Sequence, residues 1–198
     1  MEIKMLICAI LVSLSFHHLS AQNIKIEHEK RIKKIDFPEP ILEQLEPILK
    51  NSTANKFYLE FDGENYFYEL KTKHKGEKLS IKFTDKGQLI DVERLFELRK
   101  IEPNSAKKIK EYLDQNFKKY KIKRFQIQYS TKDEEVSEDF IEDFLEKDTE
   151  DMIINYEMEA EVLHEDGQST LEEFLFDANG NLIQQRKVKR RDEDFILY

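Results

Sequence analysis

A phrase that recurs at the same place in each half of a chain restricts the fold to one that uses a single structural unit twice. Here the phrase is FTDKGQLI at Phe83–Ile90 and FDANGNLI at Phe176–Ile183, about ninety residues apart. Each carries an aromatic residue, a polar turn with a glycine, and then Leu-Ile. The chain has only five glycines, and all stand in such turns: Gly63 in DGEN, Gly76 in HKGEK, Gly87 in DKGQ, Gly167 in EDGQ and Gly180 in ANGN. Asp-Gly and Asn-Gly steps join antiparallel neighbours, because glycine accepts the backbone of a tight hairpin turn.

Between the turns the apolar residues alternate. Phe57, Leu59 and Phe61 share one face, as do Tyr66, Tyr68, Leu70 and Thr72, then Leu79, Ile81 and Phe83, with a fourth run from Leu89. This period of two predicts a four-stranded meander. Ahead of it, Ile41, Leu45, Ile48 and Leu49 fall on one helical face, and Pro47 predicts that this helix is short or kinked. The second half repeats the plan. Glu102, Pro103 and Asn104 open a helix whose stripe is Ala106, Ile109, Leu113, Phe117 and Tyr120. Strands follow through Phe125, Ile127 and Tyr129, through Tyr156, Met158, Ala160 and Val162, around Phe174 and Phe176, and after Asn181. YFYELKTKH at Tyr66–His74 aligns with YEMEAEVLH at Tyr156–His164.

One turn glycine is missing from the second half, and an insert, Thr131–Met152, stands in its place. Val136, Phe140, Ile141, Phe144 and Leu145 give the insert a helical period. Its other face is acidic, with Glu134, Glu135, Glu138, Asp139, Glu142, Asp143 and Glu146. The predicted fold is α+β: two tandem α-β-β-β-β units, 22–100 and 101–198, forming an antiparallel sheet with helices packed on one face and the acidic insert 131–152 in the second unit.

The N-terminus reads as a secretory signal peptide over 1–21. Lys4 precedes an apolar run, Met5–Phe16, that is too short to span a bilayer, and LSA ends in a small residue at Ala21. Cys8, the single cysteine, would leave with it, so packing and not a disulfide would hold the mature chain. The expected location is the periplasm or the exterior. The net charge of −9 argues against nucleic acid as a partner, and no other stretch is apolar enough for a membrane span.

Tandem helix-plus-meander units behind a signal peptide, each ending in F-x-x-x-G-x-L-I, resemble the β-lactamase-inhibitor-like, PepSY-like family of exported bacterial proteins. The matching residues are Phe83, Gly87, Leu89 and Ile90 in one unit, and Phe176, Asp177, Gly180, Leu182 and Ile183 in the other. The resemblance covers roughly Ile35 to Lys189. It implies a periplasmic, helix-backed sheet without catalytic residues, and some relatives of that fold bind and inhibit an enzyme with the open sheet face.

Chemistry-bearing motifs are few. Asp177, Asn179 and Asn181 alternate around Gly180 as at the start of a calcium loop, but no late glutamate follows, so they read as a turn. His74 and His164 occupy matching hairpins and His28 lies near the mature N-terminus; they read as exposed, without a metal. No nucleophile, zinc or nucleotide fingerprint is present, so neither a catalytic residue nor a cofactor is expected.

The sheet carries the sharper signal. Lys71, Lys73, Lys78 and Lys82 alternate with apolar positions and so point away from the helices, and on the same face of the second unit stand Glu157, Glu159, Glu161 and Glu173. A wet sheet face is polar, but cross-strand pairing favours mixed signs over segregated ones. The simplest reading is a solvated face. The functional one is an exported binding protein, an inhibitor or modulator of an envelope protein, that meets its protein partner through this face. A homodimer pairing the Lys half with the Glu half is a further option. The alternative function is a small-ligand or divalent-cation module using the acidic insert or the groove between units. The tail, Phe195–Tyr198, either adds to a sheet edge or frays.

Overall fold

A computed structural model describes residues 24–132 and 139–190. The predicted signal peptide 1–21, Glu134, Glu135, Val136 and Glu138 of the insert, and the tail Phe195–Tyr198 lie outside the described residues. The elements are β1 (Ile24–Ile32), α1 (Glu39–Gln44), α2 (Glu46–Leu49), β2 (Ser52–Phe61), β3 (Tyr66–His74), β4 (Glu77–Thr84), β5 (Leu89–Leu95), α3 (Pro103–Asn116), β6 (Lys119–Thr131), α4 (Phe140–Glu146), β7 (Met152–Leu163), β8 (Ser169–Asp177) and β9 (Leu182–Arg190). The first helix breaks in two at Leu45, with Pro47 at the start of the second piece, as the proline predicts.

The strands follow one another in sequence order around a closed barrel. β5 pairs with β6, Val92 opposite Tyr129, so one sheet runs through both halves. All neighbours are antiparallel except β1 and β9, which run parallel with Ile24 opposite Lys187. This corrects the expected architecture. The sheet is not open, because β1, a strand missed by the sequence reading, bridges β2 and β9. The face predicted to be wet lines the lumen, and the helices lie outside.

The apolar core sits between the barrel wall and those helices. Ile41, Leu45 and Ile48 from α1 and α2 are fully buried together with Leu70, Ile81 and Phe83 of the wall, and Ile109 and Leu113 of α3 together with Met158, Ala160, Phe174 and Phe176. Each large side chain buried there contributes roughly 1.5–3 kcal/mol. The described part of the insert behaves as its apolar period predicts. Phe140, Ile141 and Phe144 of α4 are buried, Phe144 meets Tyr129 edge-on at 5.1 Å, and Glu142 and Glu146 stay exposed.

The recurring phrase forms the same turn twice. Gly87 N–H donates to the Thr84 carbonyl and Thr84 N–H to Gln88; Gly180 N–H donates to Asp177 and Asp177 N–H to Asn181. In the second copy the Asp177 carboxylate also accepts from the backbone of Asn179 (2.9 Å) and Asn181 (2.8 Å), so its oxygens serve the turn. This turn lies on the start of α3, where Ser105 Oγ donates to the Ala178 carbonyl at 2.8 Å. Gly180 has φ +79°, and a Cβ there would stand 2.6 Å from the Ser105 carbonyl oxygen.

Gly167, at φ +85°, has open space where a Cβ would go. Gly167→Ala should therefore lose only the roughly 1–2 kcal/mol of a left-handed backbone. Gly180→Ala must also displace Ser105, and should lose at least about 1 kcal/mol more. Urea unfolding of the two variants measures the difference; equal losses would mean that the turn does not press on α3.

Candidate functional site

Period-two alternation that puts apolar residues outward puts polar residues inward, and here most of the residues that line the interior are charged. One cavity, of about 210 Å³, is lined by residues of β1 to β7 and β9, among them Lys25, Glu60, Lys82, Asp91, Glu157 and Arg186. Only a lumen brings so many strands to one space. A second cavity, of about 370 Å³, includes Lys56, Lys71, Lys73, Lys78, Leu95 and Arg124 in its wall. Lys71, Glu93 and Arg124 line both.

Buried charges must be paired or neutralised. Lys82 reaches Glu60 at 2.7 Å, and Lys71 pairs with Glu29 and, at 3.1 Å, with Glu69. Arg124 pairs with Glu159 and stands 3.8 Å from Glu157. Lys25 (2.5 Å) and Arg186 converge on Glu173. Gln126 donates to Glu93 at 2.5 Å and Gln128 to Asp91 at 2.9 Å.

The carboxylates Glu29, Glu60, Glu69, Asp91, Glu93, Glu157, Glu159 and Glu173 outnumber the cations Lys25, Lys71, Lys82, Arg124 and Arg186 that pair with them, and titration absorbs the excess. Burial pushes Asp91 up to about 7, against the pull of Lys82 and with the repulsion of Glu157. Burial and the neighbouring Asp91 raise Glu93 to about 7 as well. Glu157 goes well above the usual carboxylate range through burial and the repulsion of Glu93 and Glu173. Burial also works against ionisation at Glu173, but there Lys25 and Arg186 prevail and its carboxyl is lowered.

The sequence-predicted face residues divide between lumen and rim. Lys71, Lys82, Glu157 and Glu159 face the lumen and are ion-paired. Glu161 is exposed and pairs with Lys123 at 2.6 Å. Lys73 and Lys78 are exposed at the rim and, like Lys56, have no ion pair among the described residues. The sequence reading missed Glu29, Lys56, Glu60, Glu69, Asp91, Glu93, Arg124 and Arg186, although the alternation that selected Lys71 also selects Glu69 two residues before it.

Two further expectations change. His74 is buried, not exposed, with Nδ1 3.2 Å from the Ile48 carbonyl at the end of α2. It sits on the helix-facing side of its strand, where the end of that helix covers it. His164 is partly exposed, edge-on to Phe117 at 5.5 Å, with Nε2 3.1 Å from the buried Glu172. Carboxylate oxygens of Glu157, Glu159 and Glu173 come within 4.8 Å of one another, as do those of Glu29, Glu60 and Glu69. Arg124, Lys25, Arg186, Lys71 and Lys82 already meet these groups, which suits ion pairs better than a bound metal.

Fold and lumen together define a mostly-β protein with outer helices and a charged interior. No protein-family model and no curated protein matches the sequence. Among solved structures the chain is similar to a DUF2874 family protein of Bacteroides ovatus, with TM-score 0.52, 10% identity, and 76% of this chain and 86% of that one covered. A DUF2874 family protein of Bacteroides uniformis gives TM-score 0.50 at 11% identity, with 76% and 89% covered. A BLIP-like protein of Bacteroides fragilis aligns at TM-score 0.49 and 14% identity, over 79% and 89%. The first two establish a shared fold; the third adds nothing to it. Among the described residues no helix is long and apolar enough to cross a membrane.

The raised carboxyls have a consequence for stability. Asp91 holds a proton in the folded state that the unfolded chain gives up near pH 3.8, so its contribution falls as pH rises from about 4 through about 7. The urea midpoint is expected to be lower at pH 8 than at pH 5.5, and Asp91→Asn should shrink that drop. An unchanged drop would mean that Asp91 is not a source of the pH dependence.

Proposed function

We propose that the protein is a non-catalytic, exported binding protein and that a protein partner docks at the lysine-lined mouth of the barrel. The observation that carries this is the cavity of about 370 Å³ at that end, where Lys56, Lys71, Lys73, Lys78 and Arg124 gather beside Leu79 and Leu95. Its size lies within the range of binding pockets. With the charged face turned inward, a partner gains access only at the ends, and this end mixes cations with apolar surface. The layout of residues 1–21 supports export. The helix-then-four-strands order of 22–100 and 101–198, with the recurring F-x-x-x-G-x-L-I turn, supports tandem units of the PepSY-like, β-lactamase-inhibitor-like kind. Pairing of a Lys half with a Glu half in a homodimer would need the face that lies in the lumen, and a cation site among the lumen carboxylates would have to displace their ion pairs.

The test is affinity capture from an envelope extract with mature protein, at low and high salt. Three proteins are compared: wild type, Lys73→Glu/Lys78→Glu at the mouth, and Lys107→Glu/Lys110→Glu on exposed positions of α3. A partner held at low salt by wild type and the α3 variant, released by high salt, and lost by the mouth variant is the expected result. Equal retention by both variants would clear the mouth. Capture of no partner by any of the three would defeat the protein-binding reading.

A further inference from the structure

Lysines rarely face lysines across a strand pair, because like charges placed directly opposite one another destabilise it. At the mouth this happens twice. Lys56 of β2 is opposite Lys71 of β3, and Lys73 of β3 is opposite Lys78 of β4. In a chain of net charge −9 the cluster does not reflect a general excess of basic residues. Lys71 is held by Glu29 and Glu69, whereas Lys56, Lys73 and Lys78 have no ion pair among the described residues. The irregularity that places Lys56 there, between Thr53 and Lys56, contains Ala54 at φ 57°. A left-handed alanine is held at a cost of roughly 1–2 kcal/mol, and Ala54 lines the same cavity. Backbone strain of this kind gathers at functional sites.

The spacing of the lysines suggests what meets them. Lys71 and Lys73 are two residues apart on β3, so the two opposed pairs are one pleat apart, roughly 6.5–7 Å. Alternate side chains of any extended peptide have the same repeat. Leu95, 42% exposed, supplies apolar wall, and Leu79 behind it is buried. We propose that the mouth is an anion-recognition site for an extended acidic segment of the partner, with carboxylates at alternating positions received by Lys56 and by the Lys73–Lys78 pair. This rests on the protein-binding reading and names the chemistry of the partner.

The probe is the capped hexapeptide Asp-Thr-Asp-Thr-Asp-Thr, titrated calorimetrically into mature protein at low salt, beside the Asn-Thr analogue and succinate. Wild type should bind the acidic peptide, release it as salt rises, and fail to bind the Asn analogue. Lys56→Gln/Lys73→Gln/Lys78→Gln should weaken binding at least tenfold while raising the melting temperature of the unliganded protein, since it removes repulsion. Undiminished binding by the triple variant, or a fall in its melting temperature, overturns the proposal. Succinate matching the peptide at equal carboxylate concentration overturns the extended segment in favour of a small organic anion. A captured partner together with a silent peptide overturns the acidic segment alone. Peptide binding with no captured partner supports the anion site and counts against a protein partner.

Discussion

A sheet that turns a charged face inward must satisfy those charges from its own strands, and most of the structure answers to that constraint. Removing one member of a buried pair costs roughly 3–5 kcal/mol, because the other is left without compensation. The lumen pairs therefore add to the register that the outer core already specifies. β6 and β7 illustrate the coupling. Ile122 lies opposite Ala160 on the outer side, Arg124 lies opposite Glu159 on the inner side, and Lys123 is the extra residue between them. That bulge keeps Phe125 and Ile127 in the core while aiming Arg124 at Glu157 and Glu159. A slip of one residue would exchange the two faces, leaving apolar residues in the lumen and charges under the helices.

Closure and charge compensation come from the same strand. β1 joins β2 to β9, and it also brings Lys25 to Glu173 and Glu29 to Lys71. Without it Glu173 would keep only Arg186, and Lys71 only Glu69. A sheet of β2 to β9 alone would expose two edges and open the charged face to water, which is the form that the sequence suggests.

The difference between the expected and the observed fold has a specific physical source. The turns, the strands between them and most of each helix stripe were legible because each depends on local chemistry: a glycine at positive φ, apolar residues at a period of two or of 3.6; the predicted second stripe runs too far, since α3 ends at Asn116 and Tyr120 already lies in β6. The side of the sheet on which Lys71, Lys82, Glu157 and Glu159 fall was legible for the same reason. Curvature was not. It accumulates from strand twist and from irregularities at Thr53/Lys56, Lys82/Phe83, Ile122/Arg124 and Leu175/Phe176, and no composition signal marks these places. β1 escaped notice because IKIEHEKRI alternates with few apolar residues and is flanked by no turn glycine. Arg124 escaped notice because its meaning lies in Glu157 and Glu159, more than thirty residues away on the neighbouring strand.

The interior of the lumen and its lysine-lined mouth differ in how they can deal with unbalanced charge. An excess of buried carboxylates has an internal remedy: Asp91, Glu93 and Glu157 take up protons at pH values where exposed carboxyls have lost theirs. An excess of ammonium groups has no equivalent near neutrality, since lysine in water keeps its proton until about pH 10. Negative surplus can therefore be absorbed within the fold, whereas positive surplus must be met by ions or by another molecule. The lysines at the mouth face water, so the fold tolerates them at small cost; a partner that excludes that water would strengthen each charge contact it makes. The buried carboxylates of the interior are accounted for by the stability of the barrel itself. The lysine-rich end is not, and for that reason it is the part of the molecule where binding is most economically placed.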